Sequence, residues 1–170
     1  MLEEGYRECP PGWTKPPRQQ LDAVTRDQRY TITWDVSQSE LEEALSSQGY
    51  TGMDSPAVYA AGSGWHLILS VKKAEGSKPR GIGVYFANTS YECQEEEVAP
   101  ENEVTQANYT ITHQPPGAGS RRTLSKGSPT LFRTVGWGVP TNFQASSMSD
   151  MLPHLRDGYL KLEATFQVIH

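Results

Sequence analysis

From residue 30 onward, apolar and polar residues alternate along most of this chain, and the alternation predicts β-strands. Tyr30, Ile32, Trp34 and Val36 share one parity, while Thr31, Thr33 and Asp35 take the other. Residues 160–168 repeat the pattern, with Leu160, Leu162, Ala164, Phe166 and Val168 set against Lys161, Glu163, Thr165 and Gln167. A pleated strand sends successive side chains to opposite faces, so each run has one wet face and one dry face. Trp65, Leu67, Leu69 and Val71 alternate with His66, Ile68 and Ser70, a run apolar enough to lie centrally in a sheet. Shorter strands are expected at 57–61, 82–87, 104–113 and 130–135, with Val84 and Tyr85 on opposite faces.

Turn chemistry separates these runs. Gly62-Ser63-Gly64 and Asp157-Gly158 are turn signals, and 72–80 reads as a polar hairpin-like connection. Residues 114–127 read as a loop. Residues 39–46 hold Leu41, Ala44 and Leu45 among glutamates, which is either two helical turns or a loop. A short helix fits around 147–151 within an irregular stretch from 142 to 155. Seven or eight short strands with almost no helix predict an all-β fold, an antiparallel β-sandwich whose sheets pack about 10 Å apart.

Residues 1–28 differ. Pro10, Pro11, Pro16 and Pro17 surround Gly12 and Trp13, and no apolar period is present. Proline at this density interrupts helices and central strands, so the segment is expected to be an extended arm ahead of a sandwich domain at 29–170. It is either a loose terminus or a docking arm that uses Tyr6, Trp13 and Leu21.

A chain of 170 residues with 36% hydrophobic residues, four Trp and eight Tyr can fill one core. The net charge of −5 argues against a nucleic-acid partner. No uninterrupted apolar stretch approaches the roughly 18 residues of a membrane span. The first residues lack the basic start and apolar run of a signal peptide. Two cysteines, Cys9 and Cys93, suit a reducing compartment, so a cytoplasmic location is expected, and whether the two meet stays open. Asn88-Thr89-Ser90 and Asn108-Tyr109-Thr110 match the glycosylation pattern, which carries little weight without an export signal. Glutamates at 92, 95, 96, 97, 101 and 103 form an acidic run.

Catalytic chemistry finds no foothold. His66, His113, His154 and His170 stand in no zinc-binding spacing, and Gly-x-Ser-x-Gly is absent. Cys93 sits among glutamates, which raise a thiol's pKa. No catalytic residue, metal site or cofactor is therefore expected. The remaining signal is Gly136-Trp137-Gly138-Val139 ahead of the run at 160–168. A glycine-flanked tryptophan there either fills the end of the sandwich or walls a groove.

Several pieces, in order, resemble a MATH domain, also called TRAF-like or TRAF-C. Thr33-Trp34-Asp35-Val36 is similar to the family's opening strand. Ser55-Pro56-Ala57-Val58-Tyr59, Gly62 and Trp65-His66-Leu67-Ile68-Leu69 follow the family's next motifs. Ile82-Gly83-Val84-Tyr85, Trp137-Gly138-Val139 with Phe143, and 157–164 continue the series, so the resemblance covers about 30–169. It implies an eight-stranded antiparallel sandwich that binds extended peptides in a groove beside a sheet edge, through main-chain hydrogen bonds and side-chain pockets. Carried over by alignment, the peptide-binding positions are Tyr85, Tyr109, Thr130, Trp137 and Val139. Thr130 stands where the family carries an aromatic, Val139 where it carries Phe, and Gly136 where it often carries an acid. Each lost aromatic contact forfeits on the order of 1–2 kcal/mol.

The function expected is therefore a non-catalytic adaptor or scaffold module that binds an extended segment of a protein partner. The alternative is a structural subunit of a large cytoskeletal, ciliary or organellar assembly, docked through its N-terminal arm.

Overall fold

The computed structural model describes residues 2–3, 7–8, 28–47, 51–60, 63–72, 81–89, 91–92, 105–117, 119–132 and 135–169. Two short strands come first, β1 (Leu2–Glu3) and β2 (Arg7–Glu8). β3 (Arg29–Ser37) runs directly into helix α1 (Gln38–Ser46). Then come β4 (Thr51–Asp54), β5 (Val58–Ala60), β6 (Ser63–Lys72), β7 (Gly81–Thr89) and the two-residue β8 (Tyr91–Glu92). β9 (Thr105–Gln114), β10 (Arg122–Phe132) and β11 (Val135–Gln144) precede α2 (Met148–Met151), a 3₁₀ turn (Leu152–His154) and β12 (Tyr159–Ile169).

The strands build the expected antiparallel β-sandwich. One sheet runs β1-β11-β7-β6-β4, with β5 also on β6; the other runs β10-β9-β12-β3. β2 and β8 form a separate parallel pair. No helix among the described residues is long and apolar enough to cross a membrane.

Parity decides what is buried. In β3 the alternation leaves Ile32, Trp34 and Val36 buried and Thr31, Thr33 and Asp35 exposed. β12 lies between β9 and β3, and its Leu160, Leu162, Ala164, Phe166 and Val168 face the core. β6 is central, as its two-sided apolar run predicts. Trp65, Leu67, Leu69 and Val71 enter the core, while His66, Ile68 and Ser70 on the opposite face are also buried. The Trp65 indole donates to the Ala60 carbonyl at 2.9 Å, so its polar edge is satisfied. Ring centroids lie 5.3 Å apart for Trp65 and Phe86, 5.0 Å for Phe86 and Phe166, and 5.3 Å for Phe86 and Tyr109. Each such pair contributes about 0.5–1.5 kcal/mol beyond the area it buries.

The segment 39–46 resolves as helix. Ser37 caps it: Glu40 N donates to Ser37 Oγ at 3.2 Å, and Ser37 N donates to Glu40 Oε2 at 2.8 Å. This reciprocal pair starts the helix, and Leu41, Ala44 and Leu45 bury one face. At the far end, Asp157 (φ 54°) and Gly158 (φ 82°) form a two-residue turn with positive φ at both positions. Arg156 and Tyr159 exchange backbone hydrogen bonds across it, at 2.8 and 3.0 Å.

One expectation needs correction. The loop expected at 114–127 ends early, because β10 begins at Arg122 and continues through the strand expected at 130–135 as far as Phe132. Its pairing with β9 shifts register twice, between Thr123 and Ser125 and between Gly127 and Thr130, which breaks the parity that marks a strand. β4 was not anticipated; a four-residue strand is too short to show a period. Within the span of the arm, Leu2 and Glu3 pair with Gly136 and Val135 of β11, and Arg7 and Glu8 pair with β8.

Candidate functional site

β11 forms one edge of the larger sheet. Its inner side pairs with β7 from Gly136 opposite Ala87 to Gln144 opposite Gly81, with a bulge between Val139 and Phe143. Its outer side carries β1 at Val135 and Gly136; among the described residues no strand pairs with that side at 138–144. Pro140 lies in this stretch, which an edge tolerates because a missing N–H there breaks no ladder.

The glycines flanking Trp137 have a steric reason. Gly138 lies opposite Tyr85, on the face of the sheet away from the core. A Cβ at Gly138 would strike the Val84 carbonyl oxygen and lie 2.9 Å from Tyr85 Cα and 3.1 Å from its Cδ1. A Cβ at Gly136 would meet Tyr85 Cβ at 3.4 Å and Ile68 Cδ1 at 3.5 Å, which are ordinary contacts. Gly138 thus lets β11 approach β7 beneath the Tyr85 ring, while Gly136 tolerates more. Trp137 has the other parity: it lies opposite Phe86 and packs against the core. Val139 lies opposite Val84 on that same face, but at the rim, 39% exposed.

Asn142 fixes this edge to the rest of the sandwich. Val84 N donates to its Oδ1 at 2.8 Å, and its Nδ2 donates to the Leu124 carbonyl at 3.2 Å. One amide thereby links β7, β10 and β11 across the two sheets.

The five alignment-derived positions do not share one surface. Trp137 and Val139 share the rim of β11. Tyr85 is fully buried on the opposite face of the same sheet. Tyr109 belongs to the other sheet, where it faces the core at 6% exposure and its hydroxyl lies 3.2 Å from Ser125 Oγ. Thr130 follows the β10 bulge and meets Tyr109 around Gly127, where a Cβ would touch both side chains. Tyr6, Trp13, Leu21, Cys9 and Cys93 lie outside the described residues.

Sequence reasoning missed the other end of the sandwich. His113 is 1% exposed, and its Nε2 lies 2.9 Å from the His154 carbonyl oxygen. The Phe143 ring stands 5.2 Å from His113 and 4.9 Å from His154, with the Arg122 guanidinium 5.7 Å from the Phe143 centroid. Burial lowers the pKa of both histidines, and the nearby Arg122 charge adds to it. The signal was available: His113 shares the parity of Tyr109 and Ile111 and so falls on the dry face. Elsewhere, His66 Nε2 lies 3.7 Å from Asp54 Oδ1. Among the described residues, no group of three or more His, Cys, Asp or Glu side chains is placed to hold a metal ion.

No protein-family model matches the chain. A search of curated proteins likewise finds no match.

Proposed function

We propose that this sandwich is a non-catalytic protein-interaction module that takes an extended segment of a partner along the outer edge of β11, as MATH-like domains do. The observation that supports it is the seating of Leu2–Glu3. β11 already accepts an extended segment at Val135 and Gly136, while 138–144 continue the same edge with no strand partner on that side among the described residues. Backbone N–H and C=O groups along a sheet edge supply generic affinity for an added strand. Trp137 and Val139 supply an apolar rim beside it. Asn142 holds the edge in place, so little would have to reorder on binding. The role that follows is adaptor or scaffold.

The test uses the intact chain and a library of synthetic extended peptides. Selected peptides should shift the backbone amide resonances of 137–144, and N-methylation of alternate peptide nitrogens should abolish binding. Trp137→Ala should weaken binding while the chain stays folded. Peptides that bind tightly without perturbing β11 would overturn the proposal. Co-purification with one large complex, lost on deletion of 1–28, would instead favour the structural-subunit role.

A further inference from the structure

The outer face of the β10-β9-β12-β3 sheet carries a polar cavity of about 480 Å³, on the sheet that does not contain β11. Strand register sets its lining in two rows. Arg29, Gln167 and Asn108 stand abreast on β3, β12 and β9. Thr165, Thr110 and Lys126 stand abreast in the next row, on β12, β9 and β10. Gly127, at the β10 bulge, opens the wall toward Tyr109, and Phe166 lies beneath.

The charge of this lining is one-sided. Arg29 and Lys126 are exposed cations, and neither has an ion-pair partner among the described residues. Among the described residues, no carboxylate lines the cavity. Glu163, one row further along β12, is held by Arg121 at 3.3 Å. Between the two cations lie short hydroxyl and amide side chains. Ser128 Oγ donates to Asn108 Oδ1 at 2.7 Å, which turns the Asn108 NH₂ group into the available donor. The floor of the cavity is β9 and β12, each paired on both sides, so a ligand lying on this face meets side chains rather than free backbone groups. Recognition has to run through side chains. Two cations ask for an anion, and side chains that both donate and accept match hydroxyl groups, which do the same. The volume falls in the range of small-molecule sites.

We propose that this cavity binds a small anionic sugar, phosphorylated or carboxylated, with Arg29 and Lys126 on the anion and Asn108, Thr110, Thr165 and Gln167 on the hydroxyls. The proposal is independent of peptide binding at β11.

Calorimetric titration of the intact chain with glucose phosphate, glucuronate, glucose and inorganic phosphate tests it. At least one anionic sugar should bind, and the tighter of the two identifies the anion. Glucose and inorganic phosphate should each bind roughly tenfold more weakly or worse. Arg29→Ala and Lys126→Ala, both at exposed positions, should each weaken binding by roughly tenfold while the melting temperature holds. Thr165→Val should weaken it without changing the net charge. Absence of binding by both sugar acids at millimolar concentration, inorganic phosphate binding as tightly as glucose phosphate, or affinity unchanged in all three variants would each overturn the proposal.

Discussion

The Nε2 atom of His113 lies 2.9 Å from the carbonyl oxygen of His154, on the 3₁₀ turn that closes one end of the sandwich. A carbonyl only accepts, so Nε2 carries the proton and Nδ1 the lone pair. Nδ1 is buried with no hydrogen-bond partner among the described residues. A proton added there would place a charge inside the protein, beside the Arg122 guanidinium and the His154 ring. Burial is the main cause that holds the His113 pKa below 6.5; the charges of His154 and Arg122 act in the same direction, and the backbone bond to His154 opposes them.

Stability should therefore fall on acidification. The folded chain binds protons at His113 and His154 less readily than the unfolded chain, so unfolding takes up protons below about pH 6.5. The contribution of the two rings is complete above the unfolded value, shrinks as pH falls toward the depressed folded values, and is lost once pH passes below them. Urea midpoints measured from about pH 7.5 downward should decrease, and His113→Gln should flatten the dependence. An equally steep profile in that variant would exclude His113 as the source.

Phe166 packs on Tyr30, Trp65 and Phe86, with centroids 5.3, 5.3 and 5.0 Å away. Phe166→Ala removes all three of these ring contacts and should cost about 3–5 kcal/mol. Phe166→Leu should cost less, because part of the volume is retained. Denaturant titration of the two variants gives the order directly.

The glycines flanking Trp137 should respond unequally to one added methyl. Gly138→Ala drives a Cβ against backbone and should destabilise the fold by about 1–3 kcal/mol. Gly136→Ala meets only ordinary contacts and should stay within about 0.5 kcal/mol of wild type. Equal melting temperatures for the two variants would contradict the packing of Tyr85 over β11.

Ser37→Ala removes the N-cap of α1 and should cost about 1 kcal/mol. Ser37→Asn retains an accepting side chain and should recover most of it, as thermal unfolding would show.

Strands with unbroken parity were legible in the sequence. β3, β6 and β12 each repeat apolar residues at every second position, and each lies where that pattern requires. β10 was not, since Gly127, Pro129 and two register shifts erase the period. The glycine-flanked Trp137 was visible as a special feature, but the neighbour that demands Gly138 was not, because only the β11-β7 register brings Tyr85 over it. Parity also places a residue on one of two faces without saying which sheet carries it. The resemblance placed Tyr85 and Tyr109 in one groove, yet they lie in different sheets.

Because β12 lies between β3 and β9, Asp35 meets Lys161 across 126 positions of chain. During synthesis β3 precedes β12, and its ladder edge waits for that partner while the intervening strands are made. Closure over so long a span is slow. β3 therefore gains its hydrogen-bonding neighbour in the sheet only after the long segment between the two strands has been made.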